Sequence, residues 1–184
     1  MYCSIMQRQL TSFDIHVIVH ELQEIIDSPI DKSYQLSKND IIIKIKNKKT
    51  NKKESLFIRN GQFLTITDQV FQTPKKPSNF VMGLRKYIQN GRILKISQHE
   101  FDRIIKIEIG KQVGVFTLII EFFSDGNIIL VDPNGDIIIP FLQQSWSHRK
   151  IKGRQPYMPP PSQINPFTLS FSQFSGIIKT STTD

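Results

Sequence analysis

The feature that most constrains this chain is a series of short apolar runs separated by dipeptides that favour tight reversals. Asn60-Gly61, Asp125-Gly126 and Asn134-Gly135 are Asx-Gly pairs, and their tolerance of positive φ suits hairpin turns. The runs around them, 41–46, 55–60, 62–67, 93–97, 103–109, 115–123, 127–131 and 136–139, have strand length and an alternating or fully apolar character. Strands joined by tight turns pair antiparallel with their sequence neighbours, so these runs predict meanders.

Two helices accompany the strands. Ile15, Ile18, Val19, Leu22, Ile25 and Ile26 recur at helical spacing after Thr11, until Ser28-Pro29 stops the pattern. A second helix is predicted over 79–90, entered through Pro77-Ser78 and closed by Gly91, with Phe80, Val81, Leu84, Tyr87 and Ile88 on one side. The fold class is therefore α+β, an antiparallel β-sandwich or barrel with two flanking helices. After Phe141 the periodicity fails, and SWSHRKIKGR leads through QPYMPPP into a stiff, extended exit.

At 184 residues the chain can bury a sizeable core as one domain, or as one domain and the start of another. The single Cys3 excludes an internal disulfide and a cysteine-based zinc site. No apolar run reaches the roughly 18 residues of a membrane span, and polar Gln7, Arg8 and Gln9 stand where a signal peptide needs its apolar core. A soluble, cytoplasmic protein with no membrane partner is expected.

A net charge of +8 and a pI of 9.6 make a polyanion the first partner to consider. Ile, Lys and Asn are abundant together, as A/T-rich coding favours, so arginines weigh more than lysines, their planar fork gripping phosphate bidentately. KIKNKKTNKK, residues 44–53, reads first as a solvated hairpin loop, with phosphate contact as the alternative. Arg85, Lys86, Arg92 and Lys95, together with Gln89, form a mainly basic ridge beside the end of the second helix. Those cations either complement the helix dipole or bind a polyanion.

His16 and His20 have zinc-ligand spacing but lie opposite the apolar stripe, without the glutamate of a metalloprotease motif, so a solvated polar face is the better reading. Gly61, Gly83, Gly91 and Gly110 are isolated, which leaves no phosphate loop, and no serine sits in a nucleophile elbow. No metal, cofactor, small-molecule substrate or catalysis is expected. Asp14 matches a capping box with Thr11 and also borders the apolar stripe, from where it could reach a neighbouring strand. Arg103 stands in a strand row with Phe101, Ile105, Ile107 and Ile109, while adjacent Asp102 faces the other way. Arg103 must pair with a carboxylate, Asp14 being the favoured one, or emerge at the sheet end towards a ligand.

The blocks TSFD (11–14), NFVMGLRKYIQNGRI (79–93), FDRIIKIEI (101–109), FSDGNIILVD (123–132) and GRQPYMPPP (153–161) together resemble the N-terminal NFACT domain of the RqcH/NEMF family, whose older name is the fibronectin-binding proteins. The resemblance covers residues 7 to about 167 in the family's order. It implies an NFACT N-terminal domain over 1–165, with 166–184 starting a helix-hairpin-helix module or forming a disordered tail. It also implies a fold similar to the N-terminal domain of MutM-type DNA glycosylases, whose catalytic N-terminal proline has no counterpart in Met1-Tyr2-Cys3. The implied function is ribosome quality control: binding tRNA and the large ribosomal subunit that carries peptidyl-tRNA, and recruiting alanyl-tRNA for alanine tailing of the stalled chain. The resemblance assigns tRNA contact to Asp14, Asp102 and Arg103. An adhesin for fibronectin-like proteins and a glycosylase-like DNA-binding domain are the alternatives.

Overall fold

A computed structural model describes residues 9–146, 149–161 and 165–175. It opens with α1 (Ser12–Glu21), continued by a 3-10 turn over Leu22–Ile25, and then β1 (Ile30–Gln35), β2 (Asp40–Lys46), β3 (Lys53–Arg59) and β4 (Phe63–Thr67). After α2 (Asn79–Ile88) come β5 (Arg92–Gln98), β6 (Ile104–Lys111), β7 (Gly114–Glu121), β8 (Asn127–Val131) and β9 (Ile137–Pro140), and then the two-residue strands β10 (Gln144–Ser145) and β11 (Lys150–Ile151). The strand orders of the two main sheets are sequential, β1-β2-β3-β4 in the first and β5-β6-β7-β8-β9 in the second, and β10 pairs with β11 in a small third sheet, all antiparallel. The meanders expected from the Asx-Gly turns are both present.

The two sheets and both helices share one apolar core. Ile41, Ile43, Leu56 and Ile58 from the first sheet join Ile105, Ile107, Leu118, Ile120 and Ile128 from the second, with Ile15, Leu22, Leu84 and Ile88 from the helices. Burying a side chain of this kind contributes about 1.5–3 kcal/mol before entropy opposes it. A smaller cluster around Ile104, Ile119, Ile129 and Ile151 covers the other face of the second sheet. That second cover explains why 104 and 105 are both fully buried.

The sheets are stitched at both ends. Pro29 bridges to Arg92, and beside it the Ile30 N–H donates to the Gly91 carbonyl while the Ile30 carbonyl accepts from the Asn90 N–H. At the other end the β3–β4 and β7–β8 turns touch: Asn60 donates from Nδ2 to the Asp125 carbonyl at 3.0 Å, and a Cβ on Gly126 would fall 2.2 Å from Gly61 Cα.

Three sequence readings need correction. β1, IDKSYQ, is not among the predicted strands because it shows no period of two: its buried residues, Ile30 and Ser33, are three apart across a register shift. The second helix ends at Ile88: Asn90 takes the left-handed conformation (φ 61°), while Gly91 is needed for space, a Cβ there lying 2.6 Å from Ile109 Cγ2. Finally, Arg103 is not a strand residue. It ends a tight turn before β6, which removes the arginine from the apolar row of Ile105, Ile107 and Ile109.

Candidate functional site

The first turn of α1 is built by the capping box that TSFD predicts. Thr11 Oγ1 accepts from the Asp14 backbone N–H at 3.2 Å, and Asp14 Oδ2 accepts from the Thr11 N–H at 2.7 Å. The carboxylate lies at the positive end of the helix dipole.

Beside it runs the β5–β6 turn. Glu100 and Phe101 both have positive φ, 48° and 75°, a strained choice for a bulky residue. The strain places Phe101, 9% exposed, edge-on to Phe13 at 4.9 Å between ring centroids, with Phe167 5.2 Å away on another side. Gln98 ties the turn to the helix, since its Nε2 donates both to the Ser12 carbonyl at 2.8 Å and to the Asp102 carbonyl at 2.9 Å. The structure therefore brings the segments carrying Asp14, Asp102 and Arg103 to one corner of the sandwich.

Asp102 is buried at 5% exposure, and its Oδ1 accepts from the Arg103 backbone N–H at 2.6 Å. The Arg103 carbonyl accepts from the Phe122 N–H at 2.9 Å, which fixes the backbone against the end of β7. Its half-buried side chain donates from Nη1 to Gln9 Oε1 at 3.2 Å. Among the described residues, salt bridges join Arg59 to Asp40, Lys95 to Glu108 and Arg149 to Glu121. The favoured Arg103–Asp14 ion pair is not formed; a neutral amide partners the guanidinium instead.

The sequence reading missed the support behind this corner. Glu121, 1% exposed at the end of β7, receives two hydrogen bonds from the Arg149 guanidinium and one from the Tyr157 hydroxyl at 2.8 Å. Arg149 also donates from Nε to the Met158 carbonyl at 2.6 Å and stacks over Tyr157, Trp146 and Phe123. Burial first, then the Glu121 carboxylate, with a smaller push from Asp102, raise the Tyr157 phenol far above its ordinary value. Tyr157 thus remains a proton donor at any physiological pH, and Asp102 lies within its electrostatic reach. The signal for this network was a lone glutamate in the apolar run VFTLIIEFF.

Each cation of the basic stretch beside α2 has a contact of its own. Arg85 turns to β1, where its guanidinium donates twice to the Ser33 carbonyl. Lys86 sits over the Tyr87 ring, Arg92 donates to the Asp27 carbonyl at 2.8 Å, and Lys95 is 3.6 Å from Glu108. His16 and His20 are exposed, and no group of three or more His, Cys, Asp or Glu side chains among the described residues could hold a metal. No helix among the described residues is long and apolar enough to cross a membrane.

Comparison with known proteins places this geometry. The chain is 33% identical over 172 residues to the archaeal Rqc2 homolog aRqcH of Methanocaldococcus jannaschii, covering 91% of this chain and 26% of that protein. It is 35% identical over 168 residues to the Rqc2 homolog RqcH of Bacillus subtilis, covering 83% and 29%. The chain thus spans about a quarter to a third of the length of these relatives. The N-terminal domain of the fibronectin-binding protein PavA from Streptococcus pneumoniae superposes with a TM-score of 0.81 at 30% identity, over 92% of this chain and 72% of that one. Because residues 11–184 also match the NFACT N-terminal and middle domains, the chain belongs to the NFACT family of Rqc2/RqcH/NEMF ribosome quality control proteins.

Proposed function

We propose that this chain is the tRNA-binding domain of a ribosome quality control factor, engaging the large subunit with its peptidyl-tRNA and recruiting alanyl-tRNA for alanine tailing. The observation that carries this reading is Arg103: a half-buried guanidinium at a structured corner, bonded to a neutral amide and not to a carboxylate. Its charge is therefore available to phosphate or to a base edge. Asp102 is a positioning residue that fixes the Arg103 backbone, and Asp14 holds the helix start beside it. The domain acts by binding in the cytoplasm, the peptidyl transfer itself belonging to the ribosome. The similarity in fold to MutM-type glycosylases belongs to the same proposal, as a nucleic-acid scaffold without glycosylase chemistry.

The test is equilibrium binding of fluorescein-labelled alanine tRNA. Arg103→Ala is expected to weaken binding by roughly tenfold, as removal of a charge-assisted hydrogen bond of about 1–3 kcal/mol implies, with an unchanged circular dichroism spectrum. Equal affinity in a folded variant would refute the assignment. The names of the solved relatives favour a second reading, an adhesin for fibronectin-like proteins. Surface plasmon resonance on immobilised fibronectin separates the two, since that reading requires binding that survives Asp102 substitution.

A further inference from the structure

The first sheet has two faces: one lines the shared core, and the other buries Ile42 and Phe57, with Phe63 and Phe71 stacked on Phe57 at one side. The β2–β3 register sets Ile42 opposite Phe57, Lys44 opposite Ser55 and Lys46 opposite Lys53, while Tyr34 of β1 lies opposite Ile42. Strand alternation puts this set on the face away from Ile41, Ile43 and Leu56 of the shared core. The same register puts the Asp40–Arg59 ion pair at one end of this face, and further along it the cations converge.

Lys32, Lys44 and Arg85 approach the Tyr34 ring to 5.9, 5.1 and 4.8 Å from its centroid. Lys46 and Lys53 are a directly opposed pair of like charge, an arrangement that destabilises a sheet. None of these five cations takes part in a salt bridge among the described residues. The hairpin that joins β2 to β3 is itself ordered, because buried Asn47 accepts from the Lys49 and Thr50 N–H groups and donates to Glu54. The basic cluster is thus carried on regular, paired backbone and not on a solvated loop.

We infer that the outer face of β1–β3, centred on Tyr34, is a second RNA-docking surface, distinct from the Asp102–Arg103 corner. Lysines spaced two residues apart on paired strands would track a phosphate backbone, and the Tyr34 ring holds three of the cations together by cation–π contact. A membrane surface is a poorer fit: none of the exposed large apolar side chains among the described residues belongs to these strands, and interfacial binding needs such anchors. The surface is independent of Arg103, on the opposite sheet from the β5–β6 turn.

The test uses the 184-residue chain and fluorescein-labelled tRNA across a salt series. The variant carrying Lys32→Gln, Lys44→Gln, Lys46→Gln and Lys53→Gln should bind at least tenfold more weakly. Its slope of log affinity on log salt should shrink by roughly 3 units, at about 0.7–0.9 for each of the four phosphates no longer neutralised. Arg103→Ala should change that slope by no more than about one unit on the same basis. Lys46→Gln with Lys53→Gln relieves a like-charge pair, so this double variant should melt no lower than wild type and keeps the test open if the fourfold variant is unstable. Unchanged affinity and slope in either folded lysine variant overturns the inference, whatever Arg103→Ala does. Loss of labelled polyglutamate binding with tRNA binding intact would assign the face to an acidic protein and overturn it equally.

Discussion

His99 sits at the hinge of the site without touching the groups proposed to meet RNA. Its backbone closes the turn, donating to the Ile104 carbonyl and accepting from the Asp102 N–H, and its Nδ1 lies 3.1 Å from the Lys106 ammonium. Burial, then the Lys106 charge, hold the imidazole below its ordinary 6.5. A neutral folded imidazole accepts from the ammonium, whereas the unfolded chain takes up a proton near the ordinary value. The stability His99 contributes is therefore complete above pH 6.5 and is lost as the pH falls towards the lowered folded value. Thermal melts should show stability declining as the pH drops below 6.5, and His99→Asn should flatten that limb; an identical profile in the variant would remove His99 as the cause. The sequence marked Asp102 and Arg103 as anomalous only because it placed them in a strand. Positive φ at Glu100 and Phe101 lets the chain turn there, and such values are invisible in FDR because neither residue type favours them.

At the scale of elements, the Asx-Gly pairs were the most legible part of the chain, since the turn conformation itself demands them. What they do beyond turning was not legible. Gly61 and Gly126 lie in different hairpins 65 positions apart, yet their backbones touch, and Gly126 has φ 69°. Gly126→Ala combines a disfavoured backbone region, costing about 1–3 kcal/mol, with a Cβ 2.2 Å from backbone. Urea denaturation should show a loss of roughly 2 kcal/mol or more; a loss below half of that would mean the two turns separate freely. The Asn134-Gly135 turn, by contrast, has nothing within 4 Å of a Cβ at Gly135. Packing partners of such distance come from tertiary structure, as do those of Glu121, whose partners Arg149 and Tyr157 stand in a segment with no apolar period. β1 escaped notice for a related reason: its one core-facing apolar residue, Ile30, lies at its start.

For the molecule as a whole, connectivity and packing run in different directions. Each sheet is a local meander, but α1 precedes the first sheet and packs on β5 and β6 of the second, while α2 reaches back to β1. The apolar stripe of α1 consequently has its partners in the latter half of the chain. A fragment of residues 1–72, cut in the exposed stretch after β4, should lack stable structure alone and gain it when mixed with 73–184. Dispersed amide resonances from 1–72 alone would count against this. The same crossing sets a schedule during synthesis. The first half emerges from the ribosome with an apolar helix face and the inner side of a sheet uncovered, and both wait for β5 and β6 to be made. A copy whose translation stops before then cannot close, and it presents to the cell an exposed chain of the sort that proteases and chaperones recognise.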